Sequence, residues 1–277
     1  MNTKDTEVFA SPWKHMAETW SRFGVGNHPS SNNIRTYERY MNEVVKEVPE
    51  PSVVIFGSTP EIRDMLASYE NIFVTILDVN KEMTRAMKGL MKRETDRETW
   101  IEGNWLDVPL QANSFDVVFG DHIRCNVAFE DQEKLFQNIH GILKPEGAFV
   151  TRLITRFDES PVYDPKEIIE KYSKIEPSKQ SISELLNILM FMTHTNQEST
   201  TDYLFAQLEA YASTPNIQVY LTEIEQMLPR GKAWNIGRGW KENSKEMFFY
   251  FDISDKTPCD TFFKDMSFVY KLIPKEV

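Results

Sequence analysis

The stretch VVIFGSTPEIRDML, residues 53–66, brings a short apolar run to Gly57, then Ser58-Thr59-Pro60, then a helix-like segment. That layout is a strand-to-helix turn of the kind that holds a nucleotide. Gly57 lets the backbone bend sharply and lie close to a ligand. Either Thr59 is the N-cap with Pro60 at the first helical position, or Ser58 caps and Glu61 completes a capping box. Both leave backbone N–H groups and a positive dipole end for an anionic group. The dinucleotide fingerprint needs three glycines, whereas Ser58, Thr59 and Glu61 stand here. Glu61 would face a diphosphate badly, so a smaller zwitterion with one carboxylate suits the loop better.

Other residues at strand ends extend this chemistry. Asp78 closes the next apolar run and can accept hydrogen bonds from both hydroxyls of a ribose, or cap the following helix. Asn104 can accept from an adenine amino group and donate to a ring nitrogen, or serve as a turn residue. Trp105 can cover an adenine face or belong to the core. His122, after Asp121, has a suitable unperturbed pKa for a general base, or is a polar loop residue. Arg152 sits in an otherwise apolar run, where a buried cation needs a partner: a substrate carboxylate or a structural acid.

These residues need a frame. Strand-like SVVIF (52–56), IFVTILD (72–78), TWIEG (99–103), FDVVFGD (115–121) and AFVTRLITR (148–156) alternate with helical segments from about Pro60, from about Lys81 and across 130–143, with KPEG (144–147) as a turn. Apolar, β-branched strands alternating with helices predict an α/β fold: a doubly wound, mostly parallel Rossmann-like sheet. EMFFYFDIS (246–254) and MSFVYKLI (266–273) are expected as a late antiparallel strand pair. Ahead of the sheet, Ile34, Tyr37, Met41, Val44, Val45 and Val48 recur at helical spacing, with Ser31 or Asn32 as N-cap. Residues 160–230 change to amphipathic helices near 182–190, 200–213 and 217–228, and GKAWNIGRGW (231–240) reads as a loop.

The chain has 277 residues and a formal net charge of -11, so no phosphate-tracking surface is obvious in the sequence and nucleic acid is not expected as a partner. Its two cysteines make no disulfide framework or zinc spacing. MNTKDTEVFA has no apolar signal core, and the longest apolar runs are far too short to span a bilayer, so no membrane partner and a cytoplasmic location are expected. Oligomeric state is not legible.

The order VVIFG, ILDVN, EGNWLDVPL, FDVVFGD, ILKPEGAFV resembles a class I S-adenosylmethionine-dependent methyltransferase over about residues 52–156. The resemblance implies S-adenosyl-L-methionine as cofactor. It places Gly57, Ser58 and Thr59 around the methionine moiety, Asp78 on the ribose, and Val79 beside the adenine. Asn104 stands where the family often has Asp, with Trp105 following. Asp121 and His122 fall where cofactor and substrate meet. The loop departs from the family's alternating glycines, reading GSTPE. The resemblance further implies an N-terminal helical gate (1–50) with Tyr37 lining the cavity, a core (51–159 and 241–277) and a helical lid or substrate insertion (160–240); Arg152, as a cation in an apolar strand, and Trp234, in a Gly-containing loop, are further substrate-binding candidates from their own contexts. The expected activity is methyl transfer to a small-molecule acceptor by in-line displacement, with positioning as the main catalytic contribution. GDHIRCN after the fourth strand lacks the Asn/Asp-Pro-Pro-Tyr/Phe signature of the amide and exocyclic-amine methyltransferases that carry it. Two other readings fit parts of the sequence: a non-catalytic methyltransferase-like binding module and an NAD(P)-dependent oxidoreductase.

Overall fold

The computed structural model describes residues 15–16, 18–24, 26–154, 160–193, 198–235, 244–261 and 265–276. In chain order the elements are α1 (Ser31–Glu47), β1 (Val53–Phe56), α2 (Pro60–Leu66), β2 (Val74–Asp78), α3 (Lys81–Leu90), β3 (Glu98–Glu102), β4 (Phe115–Asp121), α4 (Gln132–Ile142) and β5 (Leu143–Ile154). There follow α5 (Pro165–Tyr172), α6 (Lys179–Met192), β6 (Glu198–Thr200), α7 (Thr201–Glu209), α8 (Pro215–Met227) and β7 (Ala233–Asn235). The chain closes with α9 (Lys245–Tyr250), β8 (Phe251–Pro258) and β9 (Ser267–Pro274).

The chain divides into two compact units: Pro29–Ile154 with Lys241–Val277, and Met1–His28 with Thr155–Trp240. The segment 1–50 is therefore split at Pro29, and α1 groups with the sheet.

In the sheet-bearing unit the strand order is β3-β2-β1-β4-β5-β9-β8. β1 to β5 run parallel, and β9 runs against both β5 and β8. All four residues of β1 are buried, as expected for a strand covered on both faces. β3 lies at an edge, and its ETWIE is only half-buried. β1, β2, β4 and β5 supply much of one core cluster, to which α1 adds Tyr37, Tyr40 and Met41 and α2 adds Ile62, Met65 and Leu66. Helix α1 is capped one residue earlier than expected. The Ser30 hydroxyl accepts from the Asn33 N–H, and the Asn33 side chain accepts from the Ser30 N–H, so the two side chains between them satisfy two otherwise orphaned donors.

Two other expectations shift. KPEG is a bulge inside β5 rather than a turn before it: Phe115 pairs with Leu143, and Val117 next pairs with Ala148. Lys144, in the bulge, reaches both carboxylate oxygens of Asp116 at 2.8 Å. The aromatic run 246–254 begins as a helix, α9, before β8 starts at Phe251. Met247 and Tyr250, three apart, are buried while Phe249 is exposed, a helical period that outweighs the strand propensity of the aromatics. From Phe251 burial alternates with exposure, the period of a strand with one covered face.

The other unit is mainly helical. α5, which the sequence reading missed, starts at Pro165 behind the N-cap Asp164. Tyr172 meets Tyr220 edge to face at 5.9 Å. The N-terminal segment is fastened here: Gly24 N–H donates to Ser183 Oγ at 2.6 Å, and Arg22 pairs with Glu223 at 2.6 Å. β6 and β7 form a two-stranded antiparallel ribbon, so part of the expected loop 231–240 is strand. Trp240 lies outside the described residues.

Candidate functional site

Strand order reverses at β1, whose neighbours are β2 on one side and β4 on the other, so the crevice beyond its carboxyl end is the expected ligand position. Gly57 sits there with φ +90°, a backbone region that a residue with Cβ adopts only under strain. Its N–H donates to the Leu77 carbonyl at 2.9 Å, continuing the β1–β2 ladder by one step. Thr59 occupies the N-cap position of α2 but makes no side-chain cap bond. Nor does Ser58 form the expected capping box. Its hydroxyl turns toward β2 and donates to Asp78 Oδ2 at 3.3 Å.

Asp78 is buried. Its Oδ1 accepts from the Asn80 N–H at 2.8 Å. The cap of α3 is Asn80, whose Oδ1 accepts from Met83 N–H at 2.9 Å, so Asp78 braces the cap rather than providing it. Burial pushes the Asp78 carboxyl up to about 6, against the opposing pull of the Asn80 N–H, Ser58 and Arg63. A carboxylate offers about four acceptor positions, and the two protein bonds use about half of them. Val79 follows half-buried.

Beyond β3, Asn104 Oδ1 accepts from Leu106 N–H at 2.9 Å, the turn arrangement that its sequence context left open. Trp105 donates its indole Nε1–H to the Leu77 carbonyl at 3.0 Å. That one carbonyl therefore receives both Gly57 and Trp105. The indole stacks on Phe56 with centroids 6.2 Å apart and planes at 23°. Its edge stands 3.5 Å from where a Cβ on Gly57 would lie. Trp105 is thus a wall of the crevice, and its backbone is fixed by Asn138 Nδ2, which donates to its carbonyl at 2.8 Å.

A second group gathers at the end of β4. Arg152 faces Asp121 across the β4–β5 ladder, and its Nε and Nη2 donate to the two carboxylate oxygens at 2.8 Å each. The pair is wholly buried, so the structural acid is the partner found for Arg152, not a substrate carboxylate. Tyr37 donates its phenol to Asp121 Oδ1 at 3.2 Å and is likewise fully buried, its ring tilted against Phe119 at 5.9 Å. That makes it a packing and latching residue rather than a lining one. Burial raises the Tyr37 phenol well above its usual range, and Asp121 adds to the effect. Burial would raise Asp121 too, but the Arg152 guanidinium, with His122 and Tyr37, outweighs it and holds the carboxyl low. His122 follows in the left-handed region (φ 54°, ψ 26°), its N–H donating to the Arg152 carbonyl at 3.0 Å.

Two clusters thus form in this unit: Gly57, Ser58, Asp78 and Trp105 around the ends of β1 and β2, and Tyr37, Asp121, His122 and Arg152 at the end of β4. Trp234 lies in the helical unit, buried on the β6–β7 ribbon with the Lys232 ammonium 5.4 Å from its ring centroid, not in a free loop. Sequence reading missed the buried ion pair Arg63–Glu98, whose two bonds measure 2.9 and 2.7 Å. Its signal was Arg63 on the same helical face as the apolar residues of α2. Among the described residues no group of His, Cys, Asp or Glu is placed to hold a metal ion, and no helix is long and apolar enough to cross a membrane.

Residues 57–151 match a family described as a methyltransferase domain. No curated protein matches the chain by sequence. Among solved structures, the chain is similar to the PH0226 protein of Pyrococcus horikoshii OT3 at 15 % identity and TM-score 0.53, covering 89 % of this chain and 92 % of that one. It is similar to a Listeria monocytogenes protein described as an S-adenosylmethionine-dependent methyltransferase at 12 % identity and TM-score 0.50, covering 88 % and 99 %. It is also similar to a Rhodobacter sphaeroides protein described as a zinc-dependent alcohol dehydrogenase at 13 % identity and TM-score 0.58, covering 96 % and 98 %. At such identities each likeness is one of fold alone, and an activity cannot be carried over from it. The family match supplies what fold alone does not, since it spans the Gly57 turn, Asp78, the segment after β3 and the whole of β4. The sheet order and the reversed strand β9 frame a Rossmann-like unit, and the match over residues 57–151 marks a methyltransferase domain within it.

Proposed function

We propose that the protein is a class I S-adenosylmethionine-dependent methyltransferase that transfers the methyl group of S-adenosyl-L-methionine to a small-molecule acceptor by in-line displacement, and that its residues act chiefly by positioning. The observation that carries the reading is the Ser58–Asp78 bond, which joins the Gly57 turn to a buried acid one strand over. The residues fit the cofactor: Asp78 has acceptor capacity left for ribose hydroxyls, and the positive φ of Gly57 brings backbone close to the methionine end. When bound, S-adenosyl-L-methionine supplies an electrophilic methyl on a sulfonium.

The remaining work falls to the chain. Gly57, Ser58 and Thr59 form the turn toward the methionine end, and Trp105 supplies an apolar wall. Val79 and Asn104 flank the adenine. Alignment of the acceptor with the methyl–sulfur axis can supply on the order of 7–11 kcal/mol. His122, at the end of β4, accepts the acceptor's proton where that atom is protonated at neutral pH. Asp121 is not a free ligand. Its carboxylate is held by Arg152 and Tyr37 and shapes the wall on that side.

The test is titration calorimetry with S-adenosylhomocysteine, followed by incubation with isotopically labelled S-adenosyl-L-methionine and a small-molecule extract. Binding of the first and label in discrete metabolites are expected. Binding with no label in any metabolite would remove the small-molecule assignment in favour of a macromolecular acceptor or a binding module.

A further inference from the structure

The buried pair at the end of β4 has no part yet in the reaction. A left-handed φ at a non-glycine residue costs on the order of 1–3 kcal/mol and persists only where its surroundings enforce it. At His122 they do. Its N–H is taken by the Arg152 carbonyl, and its own carbonyl accepts from Cys125 Sγ at 2.9 Å and Asn126 Nδ2 at 3.2 Å. The residue just before it is clamped by the Arg152 fork and the Tyr37 phenol. Arg152 therefore touches this turn twice, through main chain at His122 and through side chain at Asp121.

The charges are arranged to match. Asp121 stands beside His122, and the Arg152 guanidinium, with a smaller contribution from His122, holds its carboxyl low against burial. Among the described residues, the titratable groups around this site include Arg124 and Cys125 in the following turn, Tyr37 from α1 and Cys259 after β8.

We propose that Arg152 is a positioning residue for methyl transfer: its guanidinium clamps Asp121, holds the His122 turn in place and balances the acid beside the imidazole. The inference rests on the reading of His122 as proton acceptor. The main-chain contact survives substitution at 152, so side-chain variants test the guanidinium alone.

The experiment follows the His122 imidazole by NMR in the full-length chain with labelled histidine and saturating S-adenosylhomocysteine, its signal assigned by loss in His122→Gln. Arg152→Met leaves Asp121 uncompensated and raises the titration midpoint by about one pH unit, and Asp121→Asn leaves the guanidinium uncompensated and lowers it by about one. The double variant Asp121→Leu/Arg152→Met replaces a buried ion pair with apolar side chains, a change such sites tolerate, so it keeps the test open should a single variant fail to fold. Its midpoint returns close to that of the parent chain. Its transfer of labelled methyl into the small-molecule extract falls about 100-fold, the scale of a 1 Å misplacement, with S-adenosylhomocysteine affinity unchanged. Midpoints that stay put or move in the same direction, or a double variant that transfers at the parent rate, overturn the proposal. Should His122→Gln transfer normally while the midpoints move in opposite directions, the proton-acceptor reading is wrong and the action of Arg152 on His122 stands.

Discussion

Ser58 Oγ donates to Asp78 Oδ2 at 3.3 Å, and this bond ties the turn after β1 to the last residue of β2. Two elements that form the crevice are thereby set against each other before any ligand arrives. The Asp78 carboxylate is the part of that link that can also engage a ribose.

Asp78→Ala is expected to weaken S-adenosylhomocysteine binding by roughly 10- to 150-fold, the equivalent of about 1.5–3 kcal/mol for hydrogen bonds to a charged group. Calorimetry measures it. Ser58→Ala should have a smaller effect, because the acid remains. Equal affinity in Asp78→Ala and the parent chain would remove Asp78 from the site.

Acid should act on binding and stability in opposite senses. With its carboxyl raised to about 6 from an ordinary 3.8, Asp78 takes up a proton in the folded chain before it would in the unfolded one. Its contribution to stability is therefore fully present below the unfolded value and is lost as pH rises through about 6. Cofactor affinity needs the ionised form, so it should fall about tenfold per unit below that midpoint. Paired calorimetry and melting curves from pH 5 to pH 8, with Asp78→Asn as control, would show it. An affinity flat through pH 6 contradicts the assignment.

Gly57→Ala should destabilise the fold by about 1 kcal/mol or more through backbone strain at φ +90°, not through a clash, since the added methyl meets Trp105 at an ordinary 3.5 Å. The Tm and the cofactor affinity should both drop. A variant with unchanged Tm would mean that the turn relaxes freely.

Arg63→Ala removes one partner of a buried ion pair and leaves Glu98 uncompensated, at a cost of about 3–5 kcal/mol. Denaturant unfolding reads this directly. Because Arg63 also donates to the Thr84 carbonyl of α3 at 3.2 Å, the loss should exceed that of Glu98→Gln. The reverse ranking would show that the helix contact contributes little.

Much of the frame was legible because the parallel strands are buried on both faces and read as short apolar runs between helix starts. β1 and β4 fall within a residue of expectation for that reason. What misled was propensity against context. The aromatics of 246–250 favour strand locally, yet their burial at a spacing of three makes a helical turn. Among the candidate site residues, the strand-end positions of Gly57 and Asp78 were legible from the apolar runs alone. Tyr37 and Arg152 could not, because their partner Asp121 lies far off in sequence and only the sheet register sets it opposite. Ser58 was read as a possible helix cap, a local use. It serves instead across strands, which no window of neighbouring residues reveals.

The shared carbonyl of Leu77 has an optical consequence. Trp105 is held there by its indole N–H, lies against Phe56 and borders Gly57, so a fluorophore stands at the mouth of the crevice in a fixed orientation. A guest settling on Gly57 alters the polarity around that ring and with it the colour of its emission. If the crevice takes S-adenosylhomocysteine, Trp105 emission should shift on titration over the signal of the five other tryptophans, and Trp105→Phe should lose that shift.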